Sequence, residues 1–305
     1  MRNVVILAAL VLIAATGCGS SGSSFAAKYA SLTEARQGFK TTLTTSSMGS
    51  QPVEEPPQDV FQLINYTSKV GELPAYITPD PLDGKKHPAI IWITGGDCNS
   101  IGDVWSPADP QDDQSASAYR QAGIVMMFPS LRGGNTNPGQ REGFFGEVDD
   151  VIAAADFLAT QSYVDPARIY LGGHSTGGTL ALVVAESTSK FRATFAFGPV
   201  HEVQYYDPEY LPFAYHNTEE SAIRSPIFWL KSLSTPTFAI EGADGNALAL
   251  TLLERKAEGT KLSCIQVSGA DHFSVLGPAN TEIARQILAD TGPTCNISLS
   301  AADLQ

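Results

Sequence analysis

Short apolar runs alternate with segments of helical periodicity over most of the chain after about residue 85. The runs 88–94 and 123–129 are apolar at nearly every position, which is typical of strands buried on both faces of a parallel sheet. Over 146–160 the apolar residues instead recur every three or four positions behind an acidic first turn, as in an amphipathic helix. The same reasoning predicts further strands at 168–172, 193–197, 236–240 and 262–267, and helices at 177–185, 247–256 and 281–288. The alternation predicts an α/β domain with a mostly parallel sheet covered on both faces by helices.

The segments before these runs predict where the domain begins. Residues 60–67 and 71–78 have the pattern of two strands joined by a short turn, so we place the α/β domain at 59–305. Residues 19–58 are rich in Ser, Thr, Gly and Pro and hold one weakly helical stretch at 32–40, which indicates a flexible tether and a peripheral segment.

The N-terminus has the pattern of an export signal. Twelve apolar residues, 4–15, follow Arg2, a run too short to span a bilayer. The run leads into Ala-Thr-Gly and Cys18, which resembles the bacterial lipobox, so residues 1–18 are predicted to be a lipoprotein signal ending at a lipidated Cys18. The alternative is an ordinary secretory signal that leaves Cys18 as a free thiol. Either implies a location outside the cytoplasm, and lipidation implies an anchor at the periplasmic or cell-surface face of a bacterial membrane.

Composition narrows the classes of partner. The 305 residues are 43% hydrophobic and carry a formal net charge of −13, so the chain is globular and has little basic surface to neutralise nucleic-acid phosphates. The His and Cys residues do not have metal-ligand spacing. We therefore expect no metal, no cofactor and no nucleic acid, and membrane contact only through the lipid anchor.

The sharpest chemical motif is Gly-His-Ser-Thr-Gly at 173–177, between a predicted strand and a predicted helix. A tight turn there exposes Ser175 in a strained conformation and needs glycine two residues to either side. The amide of Thr176, at the start of the helix, would face an oxyanion formed on acyl attack. The motif predicts Ser175 as a nucleophile; an incidental Ser in a packing turn is the alternative.

A nucleophilic serine needs a base, and the base needs an orienting acid. Of the five histidines, His272 is the one in the loop after the last predicted strand, at the sheet edge that also carries Ser175. The loop after the preceding strand offers Asp244, with Glu241 as a rival. We predict a triad of Ser175, Asp244 and His272, in the chain order of α/β-hydrolases.

Further motifs resemble the catalytic domain of prolyl oligopeptidase-like and dienelactone hydrolase-like α/β-hydrolases. They are Leu-Arg-Gly-Gly at 131–134, Val-Asp-Pro-Ala-Arg-Ile at 164–169, and Ser-Pro at 225–226 followed by Ser-Thr-Pro-Thr at 234–237. The resemblance covers about residues 85–290 and implies a serine hydrolase that forms an acyl-enzyme. Only about 60 residues precede the core, so we expect no peptide-filtering propeller, and dienelactone hydrolases use Cys where this chain has Ser175.

The second oxyanion donor is expected in the loop after the strand that ends near Thr94. Thr-Gly-Gly at 94–96 stands where relatives carry His-Gly-Gly, which makes the Gly96 amide our choice beside that of Thr176. Some members of the family use a Tyr hydroxyl in this loop, and here Thr94 takes that region. An ester is therefore the expected substrate, with a prolyl oligopeptidase-like peptidase of small peptides as one alternative. An inactive surface-binding lipoprotein is another.

The remaining predictions concern the cysteines and one long connection. Cys264 begins the last strand and Cys295 follows the last helix, so both are placed at the amino edge of the sheet and predicted to form a disulfide. Cys98 belongs to the opposite edge and is predicted to be a buried free thiol.

The aromatic-rich segment 201–233 is a candidate cap over the site, or a packed excursion without substrate contact.

Overall fold

A computed structural model describes residues 19–305. The predicted signal sequence and Cys18 lie outside the described residues, so both stay predictions. Within residues 19–305, no helix is long and apolar enough to cross a membrane.

Residues 19–305 are organised around one eight-stranded sheet. Its strands, in chain order, are β1 (Gln62–Ser68), β2 (Gly71–Ile77), β3 (His87–Ile93), β4 (Val125–Pro129), β5 (Val164–His174), β6 (Thr194–Phe197), β7 (Thr237–Gly242) and β8 (Leu262–Val267). Their spatial order is β1-β2-β4-β3-β5-β6-β7-β8. The pairs β1–β2 and β2–β4 are antiparallel, and the other five pairs are parallel. The predicted mostly parallel α/β fold is confirmed.

Helices cover both faces of this sheet. They are α1 (Gly19–Ala26), α2 (Leu32–Arg36), α3 (Ser117–Gln121), α4 (Glu147–Ala159), α5 (Thr176–Ser187), α6 (Thr218–Ala222), α7 (Ala247–Glu254) and α8 (Leu276–Ala289). The predicted helices at 146–160, 177–185 and 247–256 correspond to α4, α5 and α7. Helix α8 begins five residues before its predicted start, directly after the His272 loop.

Strand alternation sends neighbouring side chains to two separate cores. On β3, Ile91 and Ile93 pack in the core that holds α4 and α5, whereas Ile90 and Trp92 pack in the core that holds α8. All four side chains are at most 2% exposed. Burial on both faces explains why these strands appear in the sequence as continuous apolar runs.

The flexible tether predicted within residues 19–58 is wrong for most of that segment. Phe25 on α1 and Leu32 and Ala35 on α2 are at most 3% exposed and belong to the main core. Further along, Leu43 forms an isolated β-bridge with Phe213. The low-complexity composition hid these few apolar anchors, which hold the segment on the domain.

The predicted Cys264–Cys295 disulfide is also wrong in this structure, where both residues are free thiols. Cys264 shares the face of β8 that packs with α5 and α7, while Cys295 packs against the core on the α8 side. The sequence argument concerns only the edge of the sheet at which both residues lie. Successive side chains of a strand point to opposite faces, so the position of Cys264 along β8 also determines its face. Cys98 is a buried free thiol, as predicted.

The candidate cap, residues 201–233, connects β6 to β7. It consists of α6 and four short 3₁₀ turns at Val203–Tyr205, Pro208–Tyr210, Pro226–Phe228 and Leu230–Ser232. Tyr206 reaches α5, where its hydroxyl is 2.7 Å from that of Thr179, one turn after Ser175. Most of the remaining apolar side chains pack inward, including Phe213 and Trp229. Whether this segment covers a substrate stays a prediction.

Candidate active site

The turn between β5 and α5 holds Ser175 in a strained conformation. Ser175 has φ 56° and ψ −115°, a region that residues with a side chain rarely occupy. Its amide donates to the Phe197 carbonyl at 2.8 Å, which fixes the turn to the end of β6. A Cβ at Gly177 would lie 2.2 Å from the Ile93 carbonyl oxygen, so only glycine fits this approach of α5 to β3. These contacts hold the half-buried Ser175 at the carboxyl edge of the sheet.

The acid bonded to the histidine is Glu241, which corrects the prediction of Asp244. Oε2 of Glu241 lies 2.8 Å from Nδ1 of His272, and its Oε1 accepts from the Gly242 amide at 2.7 Å. The Glu241 side chain is fully buried at the end of β7, whereas Asp244 is exposed in the following turn. The Asp244 amide, not its carboxylate, contacts the His272 loop, by donating to the Ala270 carbonyl at 3.1 Å.

Two glycines make room for this longer acid. A Cβ at Gly198 would lie 2.3 Å from Cε1 of His272 and 2.9 Å from Oε2 of Glu241. A Cβ at Gly245 would lie 2.5 Å from Oε1 of Glu241. The glycine after Asp244, which in the sequence indicates a turn around that aspartate, therefore makes space for the Glu241 carboxylate. In the sequence alone the glycine pattern suits either acid, so it does not decide between Asp244 and Glu241.

Gly198 also brings Ser175 and His272 to one place. It follows Phe197, which binds the Ser175 amide, and it lies against the His272 ring. The Ser175 hydroxyl and the His272 ring are not hydrogen-bonded to each other in this structure, so proton transfer needs a closer approach than the resting geometry gives. Such looseness is common in active sites without substrate.

The predicted oxyanion donors lie beside this cluster. Gly96 has φ +70°, and its carbonyl accepts a hydrogen bond of 2.9 Å from the Thr176 hydroxyl. The loop after β3 is thus tied to the first residue of α5. The Thr176 amide lies in the first turn of that helix, where amides have no partner within the helix. The roles of Gly96 and Thr176 stay predictions.

A buried polar network supports the same loop from behind. Asn99 donates from Nδ2 to the Arg132 carbonyl at 2.8 Å and to Oε1 of Glu147 at 3.1 Å. Arg132 in turn pairs with Asp150 at 2.8 Å. Burial raises the pKa of Glu147, which lies at the start of α4. Sequence reasoning singled out Arg132 only by resemblance and missed Asn99, because nothing local marks a partner 48 positions away.

A strained serine between strand and helix, facing a His–carboxylate pair across the carboxyl edge of this sheet, is the arrangement of the α/β-hydrolase fold. Residues 110–247 match the sequence model of Peptidase_S9, the prolyl oligopeptidase family. The matched residues include Ser175 and Glu241.

The curated relatives are much longer proteins. The chain is 31% identical over 111 residues to the dual function macrocyclase-peptidase POPB of Galerina marginata, covering 33% of this chain and 15% of that protein. It is 27% identical over 201 residues to a probable dipeptidyl-aminopeptidase B of Aspergillus clavatus, covering 57% of this chain and 21% of that protein.

Solved structures share the fold. A puromycin hydrolase aligns with a TM-score of 0.62 and 19% identity over 79% of this chain and 40% of that one. A Pyrobaculum calidifontis esterase aligns with a TM-score of 0.53 and 20% identity over 91% of this chain and 95% of that one. Both likenesses show the fold alone.

Proposed function

We propose that this protein is a serine hydrolase that cleaves an acyl bond through Ser175, His272 and Glu241. The observation that carries the proposal is the strained, half-buried Ser175, whose amide is bonded to Phe197 next to Gly198, against which the His272–Glu241 pair packs. Nothing in folding alone requires an unfavourable φ at a serine, so the strain indicates function.

The chemistry follows from these positions. His272 takes the Ser175 hydroxyl proton as Oγ bonds to the substrate carbonyl carbon, and Glu241 accepts a hydrogen bond from Nδ1–H and stabilises the imidazolium without taking its proton. The amides of Gly96 and Thr176 would hold the oxyanion. His272 then protonates the leaving group as the acyl bond breaks. Water, deprotonated by His272, releases the acid and restores the Ser175 hydroxyl.

We further propose an ester as the preferred substrate. An alkoxide leaves readily, whereas an amide needs a protonated nitrogen and a substrate held by several remote contacts. Two acidic residues of the 201–233 segment that could grip a peptide amine are already paired. Glu220 binds Arg224 at 2.7 Å and is buried, and Glu219 binds Lys28 at 3.1 Å.

A peptidase of small peptides is the second candidate. The match to the prolyl oligopeptidase family and the peptidases among the relatives favour it.

Labelling with a fluorophosphonate probe tests the hydrolase proposal. Purified protein should be labelled at Ser175, and Ser175→Ala should not be labelled. An inactive binding protein would fail to react in both forms.

For the substrate class, we expect a higher kcat/KM for p-nitrophenyl butyrate than for any aminoacyl or dipeptidyl p-nitroanilide. An anilide that equals the ester would replace the esterase proposal with the peptidase.

We also propose that the protein acts outside the cytoplasm, anchored through Cys18. The support is the sequence alone, namely the apolar run 4–15 followed by Ala-Thr-Gly-Cys. Mass spectrometry of the mature N-terminus from a bacterial membrane fraction should find a diacylated Cys18. An unmodified N-terminus beyond residue 18 would instead support an ordinary secretory signal.

A further inference from the structure

His174, directly before the nucleophile, contacts the loops on both sides of it. Its Nε2 lies 2.9 Å from the backbone carbonyl oxygen of His272, and the two rings are 4.5 Å apart between centroids. A Cβ at Gly95, in the predicted oxyanion loop, would lie 3.1 Å from its Nδ1. The ring is 1% exposed. One buried side chain thus joins the turn at Ser175 to the His272 loop, and it also packs against the loop after β3.

The hydrogen bond fixes the tautomer. A carbonyl oxygen can only accept, so Nε2 of His174 carries the proton and donates it to His272. Nδ1 is then unprotonated, and it is buried without a hydrogen-bond partner in the described residues. A second proton there would be a buried charge with no acceptor.

Glu241 binds the ring of His272, and in the described residues the other hydrogen bonds of this loop involve the neighbours of His272 rather than its own peptide. The Asp271 carboxylate accepts from the amides of Phe273 and Ser274 at 2.9 and 2.8 Å. The Ala270 carbonyl accepts from Asp244. The bond from His174 is the one that ties the peptide of His272 to the residue beside Ser175.

We propose that His174 is a positioning residue, which sets the distance between the base and the nucleophile through its Nε2–H bond to the His272 carbonyl. The inference rests on the proposed serine hydrolase function and adds a residue to it. The Ser175 hydroxyl and the His272 imidazole have to come closer during proton transfer. The bond from His174 limits how far the His272 loop can move relative to the turn at Ser175.

The electrostatics suit this role. Burial, with a smaller contribution from the positive charge on protonated His272, lowers the pKa of His174 to about 3. His174 therefore stays neutral at neutral pH. A neutral donor can hold the loop without opposing the imidazolium that forms 4.5 Å away.

The test compares two amides of different reach. His174→Gln can place an N–H near the position of Nε2, whereas His174→Asn is also polar but too short to reach the His272 carbonyl. We expect His174→Asn to lower kcat for p-nitrophenyl butyrate by about 10- to 100-fold with KM little changed, because misplacing a reacting group by about 1 Å costs this much. His174→Gln should recover most of that loss.

Rates are expressed per site labelled by the fluorophosphonate probe, and melting temperatures are measured for each variant. The control is His87→Gln, which removes a histidine paired with Asp83 at the opposite edge of the sheet. Equal loss in the Gln and Asn variants, or an unchanged kcat per labelled site in His174→Asn, would overturn the positioning role. Absence of labelling in the wild type would instead overturn the proposed hydrolase itself.

Discussion

The turns at the ends of β5 and β7 carry Ser175 and Glu241, the proposed nucleophile and acid, and they differ in how much of their geometry is local. At the first, the five residues 173–177 contain the strained serine and its two flanking glycines. At the second, Glu241 depends on His272, 31 positions away, and on the space left at Gly198 from another strand. A local turn can be recognised in a sequence, whereas an acid chosen by distant neighbours cannot.

The largest effect should come from the local turn. Ser175→Ala removes the oxygen that forms the acyl-enzyme, so we expect kcat to fall by about 10⁶ with the fold unchanged. Ester hydrolysis and circular dichroism would check both parts. Ser263→Ala, at an exposed position on β8, is the control and should keep full activity. More than a few per cent activity in Ser175→Ala would remove this serine from the reaction.

The next prediction decides between the two acids. Glu241→Gln leaves an amide that cannot stabilise the imidazolium, so kcat should fall by about 10⁴, as for loss of a triad acid. Asp244→Asn changes an exposed side chain and should stay close to wild type. Steady-state ester hydrolysis measures both. If Asp244→Asn were the damaging change, the triad predicted from the sequence would replace the one in the structure.

A smaller effect should follow from filling the space around the acid. The Cβ of Gly245→Ala would lie 2.5 Å from Oε1 of Glu241 and displace the carboxylate, so we expect kcat to fall by about 10- to 100-fold. Gly102→Ala is the matched control, because no atom lies within 4 Å of its Cβ position. An unaffected Gly245→Ala would mean that the Glu241–His272 geometry does not limit the reaction.

The strands and Ser175 were predictable because each depends on a pattern of a few consecutive residues. The acid was not: in Glu-Gly-Ala-Asp-Gly at 241–245, the glycines suit a turn around Asp244 as well as space for Glu241. The packed segment around Phe25 was hidden by its composition. The disulfide failed for a different reason, since the position along β8 was correct but the face of Cys264 was not considered.

The amino edge of the sheet should respond to acid rather than to changes in the active site. Asp290 is fully buried there and accepts from Arg192 at 2.6 Å and from Tyr170 at 2.7 Å. Burial raises the pKa of Asp290, but the bonds from Arg192 and Tyr170 outweigh it and lower the pKa to about 2.

A depressed pKa contributes stability above the unfolded value near 4 and loses it as the pH falls towards 2. We expect Asp290 to contribute about 2 kcal/mol to the free energy of unfolding at neutral pH by this linkage. Urea unfolding of the wild type and of Asp290→Asn at pH 7, 4 and 2.5 measures it. The difference between the two proteins should be smaller at pH 2.5 than at pH 7; a constant difference would show that the carboxylate charge is not responsible.

The smallest expected effect is that of a reductant. Cys264 and Cys295 pack on opposite faces of the sheet, so tris(2-carboxyethyl)phosphine should leave the melting temperature of the protein unchanged. A disulfide closing the loop between them would contribute about 2–4 kcal/mol, and its loss would lower that temperature by several degrees. Peptide mapping without reductant should recover both cysteines as separate thiols. A cross-linked peptide joining them would mean that one of these side chains turns around the edge of β8 in the oxidised protein, and the face assigned to Cys264 would have to be revised.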